Sequence, residues 1–487
     1  MKICFINPPF KTEYGRFSRE SRSPCIGHSR ILYYPLWLIY AAAVCEREGF
    51  DVDFIDACAW ELDLVRTMAR VREKSADARL FVLDTSTPSI TSDVRFGAAL
   101  KEEYPDAFVL LVGTHPSATV DETLAMSEKI DGIARREYDY IVRDLAKALR
   151  DDAPLSDVRG LSFRRDGEIV NNPDAEPIED LDDIPFAADF INRRLNVTDY
   201  VFTAAAYPSI QIFTGRGCPA HCNFCVYPQT MHGHKYRLRS PENVVAEFEY
   251  IVENMKNVKE IVIEDDTFTA NKLRTEEICR MLIERGISKK IRWLCNARVN
   301  LDYDTMVLMR KAGCHLIIPG IESVSQEILN NIKKGTTVAQ IENYIKNARR
   351  AGLMVHACYM VGNRGETHET MCETLAAALR FKTDTAQFFP LIPYPGTEAY
   401  AWAKENGYIT GTYDDYCKED GTLNCVISTP ELTSEELVSF CAAARKKYYL
   451  RPWYIMHRLA MGLRDPEDMR RSLKAFGRLK KSLFSKN

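Results

Sequence analysis

One stretch constrains this chain more than any other: Ser209–Arg239, SIQIFTGRGCPAHCNFCVYPQTMHGHKYRLR. An apolar run, Ile210–Phe213, reads as a buried strand, and a glycine-punctuated loop after it carries Cys218, Cys222 and Cys225. Three thiolates at spacings of four and three can curl around one cube of iron and sulfur, which normally takes four sulfur ligands, so one iron stays open. An open coordination site separates a catalytic metal centre from a closed structural one. Phe224, just before the last cysteine, would shield such a centre from water. The competing reading is half of a zinc site, with His221, His232 or His234 supplying a fourth ligand.

The chain has 487 residues, enough for roughly three domains. A net charge of −4 gives no general attraction to nucleic acid. No apolar run approaches the ~20 residues that span a bilayer. The fifteen cysteines are scattered through a long chain without a leader, and they read as reduced thiols in a cytoplasm.

Strands alternate with helices through residues 1–150: MKICFINPPF, then a helix opened by Tyr34-Pro35-Leu36-Trp37, then strands at Asp51–Ile55, Leu80–Asp84 and Phe108–Val112. This spacing predicts an α/β fold with a doubly wound parallel sheet of Rossmann type, with ligands beyond the carboxyl ends of its strands. Residues 151–200 read as a linker holding a small hairpin, GLSFRRDGEIVNN, with Asp166-Gly167 at its turn. Residues 201–400 alternate again through six strand–helix repeats, which fits a partial (β/α)6 barrel of TIM type, open on one side. Residues 401–487 read as a helical C-terminal region. Its end, Glu467–Phe484, is basic and amphipathic; it suits either an anionic membrane surface or a helix docked on the barrel with a solvated basic face.

The barrel strand ends carry further candidates. Glu264-Asp265-Asp266 follows the second strand, and side-chain alternation puts Glu264 and Asp266 on one face, with Asp265 exchanging places after a register slip of one. Arg298 follows the third strand, Glu322-Ser323 the fourth, and Gly362 the fifth.

The CxxxCxxC loop with its aromatic residue resembles that of the radical S-adenosylmethionine (SAM) enzymes, and residues 1–150 resemble the cobalamin-binding domain that precedes many of their barrels. The features shared with that domain are the Asn7-Pro8-Pro9 turn, YPLW, FIDA and GTHPSA. The resemblance implies a 4Fe–4S cluster on Cys218, Cys222 and Cys225 whose free iron chelates SAM and cleaves it to a 5′-deoxyadenosyl radical. It implies SAM contacts from Glu264, Asp265, Asp266, Arg298, Glu322, Ser323 and Gly362, and cobalamin contacts from Asn7, Ser86, Gly113, His115 and Ser117. Two positions depart from the family: Gly113-Thr114 stands where two glycines are usual, and Arg135-Arg136-Glu137 where Gly-Glu is usual. No DxHxxG motif supplies a lower cobalt ligand.

The implied reaction is methylation of an unactivated carbon or a phosphinate phosphorus of a small molecule, with electrons from an external reductant such as flavodoxin or ferredoxin. Two alternatives stay open: ring formation, contraction or rearrangement with the same cofactors, and a non-catalytic iron–sulfur protein. Sequence does not identify the substrate, because pocket residues on such a barrel vary under one chemistry.

Overall fold

The computed structural model describes residues 1–20, 22–27 and 30–464. The basic stretch Glu467–Phe484 lies outside them. No helix among the described residues is long and apolar enough to cross a membrane.

Strands β1 (Lys2–Asn7), β2 (Asp51–Asp56), β3 (Ala78–Thr85), β4 (Phe108–Gly113) and β5 (Gly132–Ala134) pair in parallel in the order β2-β1-β3-β4-β5. The central members are apolar on both faces because helices cover both sides, as in KICFIN, whose Ile3, Cys4, Phe5 and Ile6 are wholly buried. The hairpin β6 (Leu161–Arg165) and β7 (Glu168–Asn171) joins the same sheet, with β6 antiparallel to β5. That pairing satisfies an edge that β5 would otherwise expose.

The second sheet holds β8 (Ser209–Ile212), β9 (Glu260–Ile263), β10 (Arg292–Ala297), β11 (Cys314–Glu322), β12 (Met354–Val361) and β13 (Thr385–Pro390), all parallel and in sequence order. It is a partial barrel whose edge strands are β8 and β13. The helix Ser434–Tyr449 covers β13: the Tyr449 hydroxyl donates to Ala386 O at 2.6 Å and accepts from Ala386 N at 3.1 Å. A strap from the N-terminal region reaches both sides of the gap. Leu32 pairs with Val201, Tyr34 N donates to Gln211 Oε1 at 2.8 Å, and Ile26 N donates to Gly421 O at 2.7 Å.

The helix Leu36–Arg47 (LWLIYAAAVCER) joins the two sheets. Every residue from Leu36 to Cys45 is buried, the mark of a helix enclosed on all sides. Trp37 and Tyr40 pack on Phe213, the residue after β8, with ring centroids 5.2 and 5.8 Å apart. A single apolar core therefore runs from Phe5 through Trp37 to Ile210.

Candidate functional site

A cavity of about 440 Å³ lies at the barrel mouth, between the strand ends and the strap. Cys218, Cys222 and Cys225 line it, together with Glu264, Asp266, Arg298 and Glu322 from the barrel and Glu20, Arg22 and Trp37 from the N-terminal region.

The cysteine loop is held by its own backbone. Gly217 has φ +90°, and a Cβ there would sit 2.1 Å from Lys235 O, so the tight turn before Cys218 requires glycine. The Gln229 side-chain amide donates to Cys225 O at 2.8 Å and to Asn223 O at 3.2 Å. His234 Nδ1 donates to Ala220 O at 2.9 Å, and His232 Nε2 lies 2.5 Å from Asp266 Oδ2. His234 thus holds the loop and His232 the carboxylate. Among the described residues no three His, Cys, Asp or Glu side chains converge on one metal ion. Thiols that line one cavity without converging fit a cubane, in which each thiolate takes a different iron. Burial raises the Cys218 thiol to about 11 and also pushes Cys225 well above the ordinary thiol range, so loading the site releases protons.

The strand-end residues divide. Glu264 Oε1 accepts from Gln211 Nε2 at 2.7 Å; burial raises its carboxyl, and Arg22, Gln211 and Asn296 oppose that rise. Asp266 pairs with Arg22 at 2.9 Å as well as with His232. Burial works to raise this carboxyl, but His232 and Arg22 outweigh it and hold it below the usual range. Arg298 Nη2 donates to Lys334 O at 2.6 Å, and Glu322 pairs with Lys334 at 2.8 Å. Burial alone would lower the Lys334 ammonium, and the Glu322 carboxylate together with Cys222 raises it above the ordinary value.

Three expected contacts lie off the cavity. Asp265 accepts from Thr214 N and Oγ1, both at 2.6 Å, beneath the cysteine loop; strand alternation turns it away from its neighbours. Ser323 is fully buried against Thr374, 3.2 Å away, because Glu322 takes φ +62° and turns the chain after it. Gly362 abuts Leu437: a Cβ there would fall 2.7 Å from its Cδ1.

The residues expected to meet cobalamin cluster at the strand ends of the N-terminal sheet, and none lines the cavity itself. Asn7 donates to Asp56 Oδ1 at 2.8 Å and accepts from Arg19, which also pairs with Asp93 at 2.6 Å. Ser86 bonds Ser89 at 2.8 Å. The Ser117 hydroxyl donates to Gly113 O at 2.7 Å and accepts from Arg136 N at 2.9 Å. His115 bonds Thr87 at 3.2 Å and packs edge-on against Tyr413, and burial lowers it to about 3, so it is neutral.

The donor set suits a ligand rich in amides. Asp84 Oδ2, His115 Nε2 and the Tyr138 hydroxyl are buried without partners, a costly state that polar groups of a ligand would relieve. Gly113 has φ +120° and a Cβ would meet Thr85 O at 2.4 Å, which leaves that turn to glycine alone. The Arg136 departure occupies φ +64°, the backbone region of the glycine usual in the family, and its side chain runs out to solvent. Glu137 beside it is buried and pairs with Arg237 at 2.9 Å, while Asp139 takes both nitrogens of Arg216 at 2.7 and 3.0 Å.

Several residues around the cavity have no signal in the sequence. Glu20 and Arg22 lie in a stretch that reads as a polar loop, and Lys334 follows a short helix, Gln326–Asn331, outside the main repeat.

The sequence model of the Radical SAM superfamily matches residues 212–378, and that of the B12 binding domain matches residues 24–146. An uncharacterized methyltransferase of Pyrococcus horikoshii is 30% identical over 454 residues, covering 93% of each chain. An anaerobic magnesium-protoporphyrin IX monomethyl ester cyclase of Cereibacter sphaeroides is 28% identical over 93% of this chain and 72% of its own. In fold, the chain resembles the radical SAM methyltransferase TsrM of Kitasatospora setae, solved with cobalamin and a [4Fe–4S] cluster, at a TM-score of 0.68 and 17% identity over 93% of this chain and 89% of that one. With both domains matched in order and a relative aligned along nearly its whole length, this chain belongs to the cobalamin-dependent radical SAM enzymes, which use a 4Fe–4S cluster, SAM and cobalamin.

Proposed function

We propose that the chain transfers a methyl group to an unactivated carbon or a phosphinate phosphorus of a small molecule. The observation that carries this reading is that the three cysteines, the acidic strand ends and the N-terminal strap all line one shared cavity. When bound, the cluster supplies the electron that cleaves SAM, and cobalamin carries the methyl group. In this reading Cys218, Cys222 and Cys225 hold the cluster. Asp266, kept ionised by His232 and Arg22, and Glu264 receive the SAM ammonium. Arg298 meets its carboxylate, and Glu322 a ribose hydroxyl. Trp37, Phe224 and Tyr227 keep water from the reacting atoms. Asn7, Ser86, Gly113, His115 and Ser117 form the end of the N-terminal sheet where the cobalamin tail enters, with Asp84 and Tyr138 as further polar contacts.

The similarity to the cyclase supports a second reading, radical ring formation with the same cofactors. A product assay separates the two. Methyl transfer yields one S-adenosylhomocysteine and one 5′-deoxyadenosine per product, so it consumes two SAM. Anaerobic turnover that yields 5′-deoxyadenosine with no S-adenosylhomocysteine would contradict methyl transfer and favour the cyclisation.

A further inference from the structure

The cavity carries a buried cation that the assignments above leave without a role. Lys334 is 9% exposed, although lysine is rarely buried without a purpose. Its neighbour Lys333 turns outward to Glu398 at 2.5 Å. Left-handed backbone at Lys333, φ +54°, and Gly335, φ +64°, brackets Lys334 between the two turns.

The segment that carries Lys334 is tied directly to the cysteine loop. Asn223, between Cys222 and Cys225, donates its backbone N–H to Ile332 O at 3.2 Å and its side-chain amide to Asn331 O at 3.0 Å. Lys334 N donates to Leu329 O at 2.9 Å, and Arg298 holds Lys334 O from the other side. The Lys334 ammonium lies 5.9 Å from the centre of the Phe224 ring, the aromatic residue that precedes Cys225. Among the described residues it forms an ion pair with Glu322, at 2.8 Å.

We infer that Lys334 is a positioning residue whose fixed positive charge beside the cysteine loop makes the cluster easier to reduce, with Glu322 attenuating that charge. The inference rests on the reading that Cys218, Cys222 and Cys225 hold the cluster. Reduction adds one electron, drawn from a low-potential donor of the flavodoxin or ferredoxin class, and no bond forms or breaks in that step. The added negative charge is stabilised by a nearby cation in a low-dielectric site and opposed by a nearby carboxylate. Tying Asn223 to residues 331–332 keeps the cation at a constant distance from the loop.

The test is an anaerobic redox titration of the reconstituted full-length protein without SAM, followed by electron paramagnetic resonance of the reduced cluster. Lys334→Met is expected to lower the ratio of reduced to oxidised cluster at a fixed ambient potential about tenfold, equivalent to ~59 mV for a one-electron couple. Glu322→Gln is expected to move it the opposite way, and Lys334→Arg to stay near the wild type. Unmoved potentials in Lys334→Met and Glu322→Gln, with full iron content, would overturn the inference. If Lys334→Met does not hold iron, Glu322→Gln decides alone: an upward shift supports the inference and no shift overturns it. A wild-type protein that takes up no cluster would instead overturn the reading of the cysteines, and this inference with it.

Discussion

Glu366 shows how burial sets the state of a single side chain. It is 2% exposed in the turn after β12; its Oε2 accepts from Asn363 N and Nδ2 at 3.0 and 3.1 Å, and its Oε1 has no partner. Burial raises its carboxyl to about 7. A carboxyl raised above its unfolded value of roughly 4.3 favours the fold fully at pH below that value, and the benefit is lost as pH rises through 7. Over that window the loss is of the order of 3 kcal/mol, or about 3 °C for a chain of this size. Glu366→Gln, which has no charge to acquire, should therefore melt about 3 °C higher relative to the wild type at pH 8 than at pH 5. Equal differences at the two pH values, by calorimetry, would contradict this.

The same scale shows where the sequence was informative. Alternation alone separates Glu264 and Asp266 from Asp265, because a strand end keeps its period of two. Ser323 and Gly362 were not legible, since positive φ at Glu322 and at Gly362 itself turns the chain just past the strand. Arg22 was not legible either: its partner Asp266 is 244 residues away, and only the folded strap brings them together.

Among the elements, the helix Leu36–Arg47 and the short antiparallel ribbon of Gly215–Arg216 with Arg237–Leu238 join the two sheets. Arg216 is buried, takes both oxygens of Asp139 and lies 4.5 Å over the Trp37 ring. Arg216→Ala should destabilise the protein by about 3–5 kcal/mol, since it strands the fully buried Asp139. Arg216→Lys should restore little, because an ammonium cannot match the two-point geometry. Denaturant unfolding curves check both, and full recovery in the lysine variant would show that charge alone matters. The elements were largely readable: long runs such as KICFIN and the repeated strand–helix spacing follow from burial on both faces of a parallel sheet. The pairing of β6 with β5 was not, since a hairpin with a clear Asp-Gly turn gives no sign of which edge it joins.

At the scale of the molecule, the chain places an N-terminal parallel sheet against the mouth of a partial barrel, with a strap spanning the gap and one cavity at the junction. Order and fold class follow from strand spacing. The shared cavity does not, because it depends on contacts such as those of Arg22 and Tyr34 with the barrel, which no local pattern records. The central proposal is that Cys218, Cys222 and Cys225 hold the cluster that cleaves SAM. It is tested most directly by comparing wild-type and Cys222→Ala proteins, each reconstituted anaerobically with iron, sulfide and hydroxocobalamin, for iron content and for 5′-deoxyadenosine formed from SAM under reducing conditions. About four iron atoms per wild-type chain with SAM cleavage are expected, and loss of both in Cys222→Ala while cobalamin stays bound. A Cys222→Ala protein with undiminished iron that still cleaves SAM would contradict it.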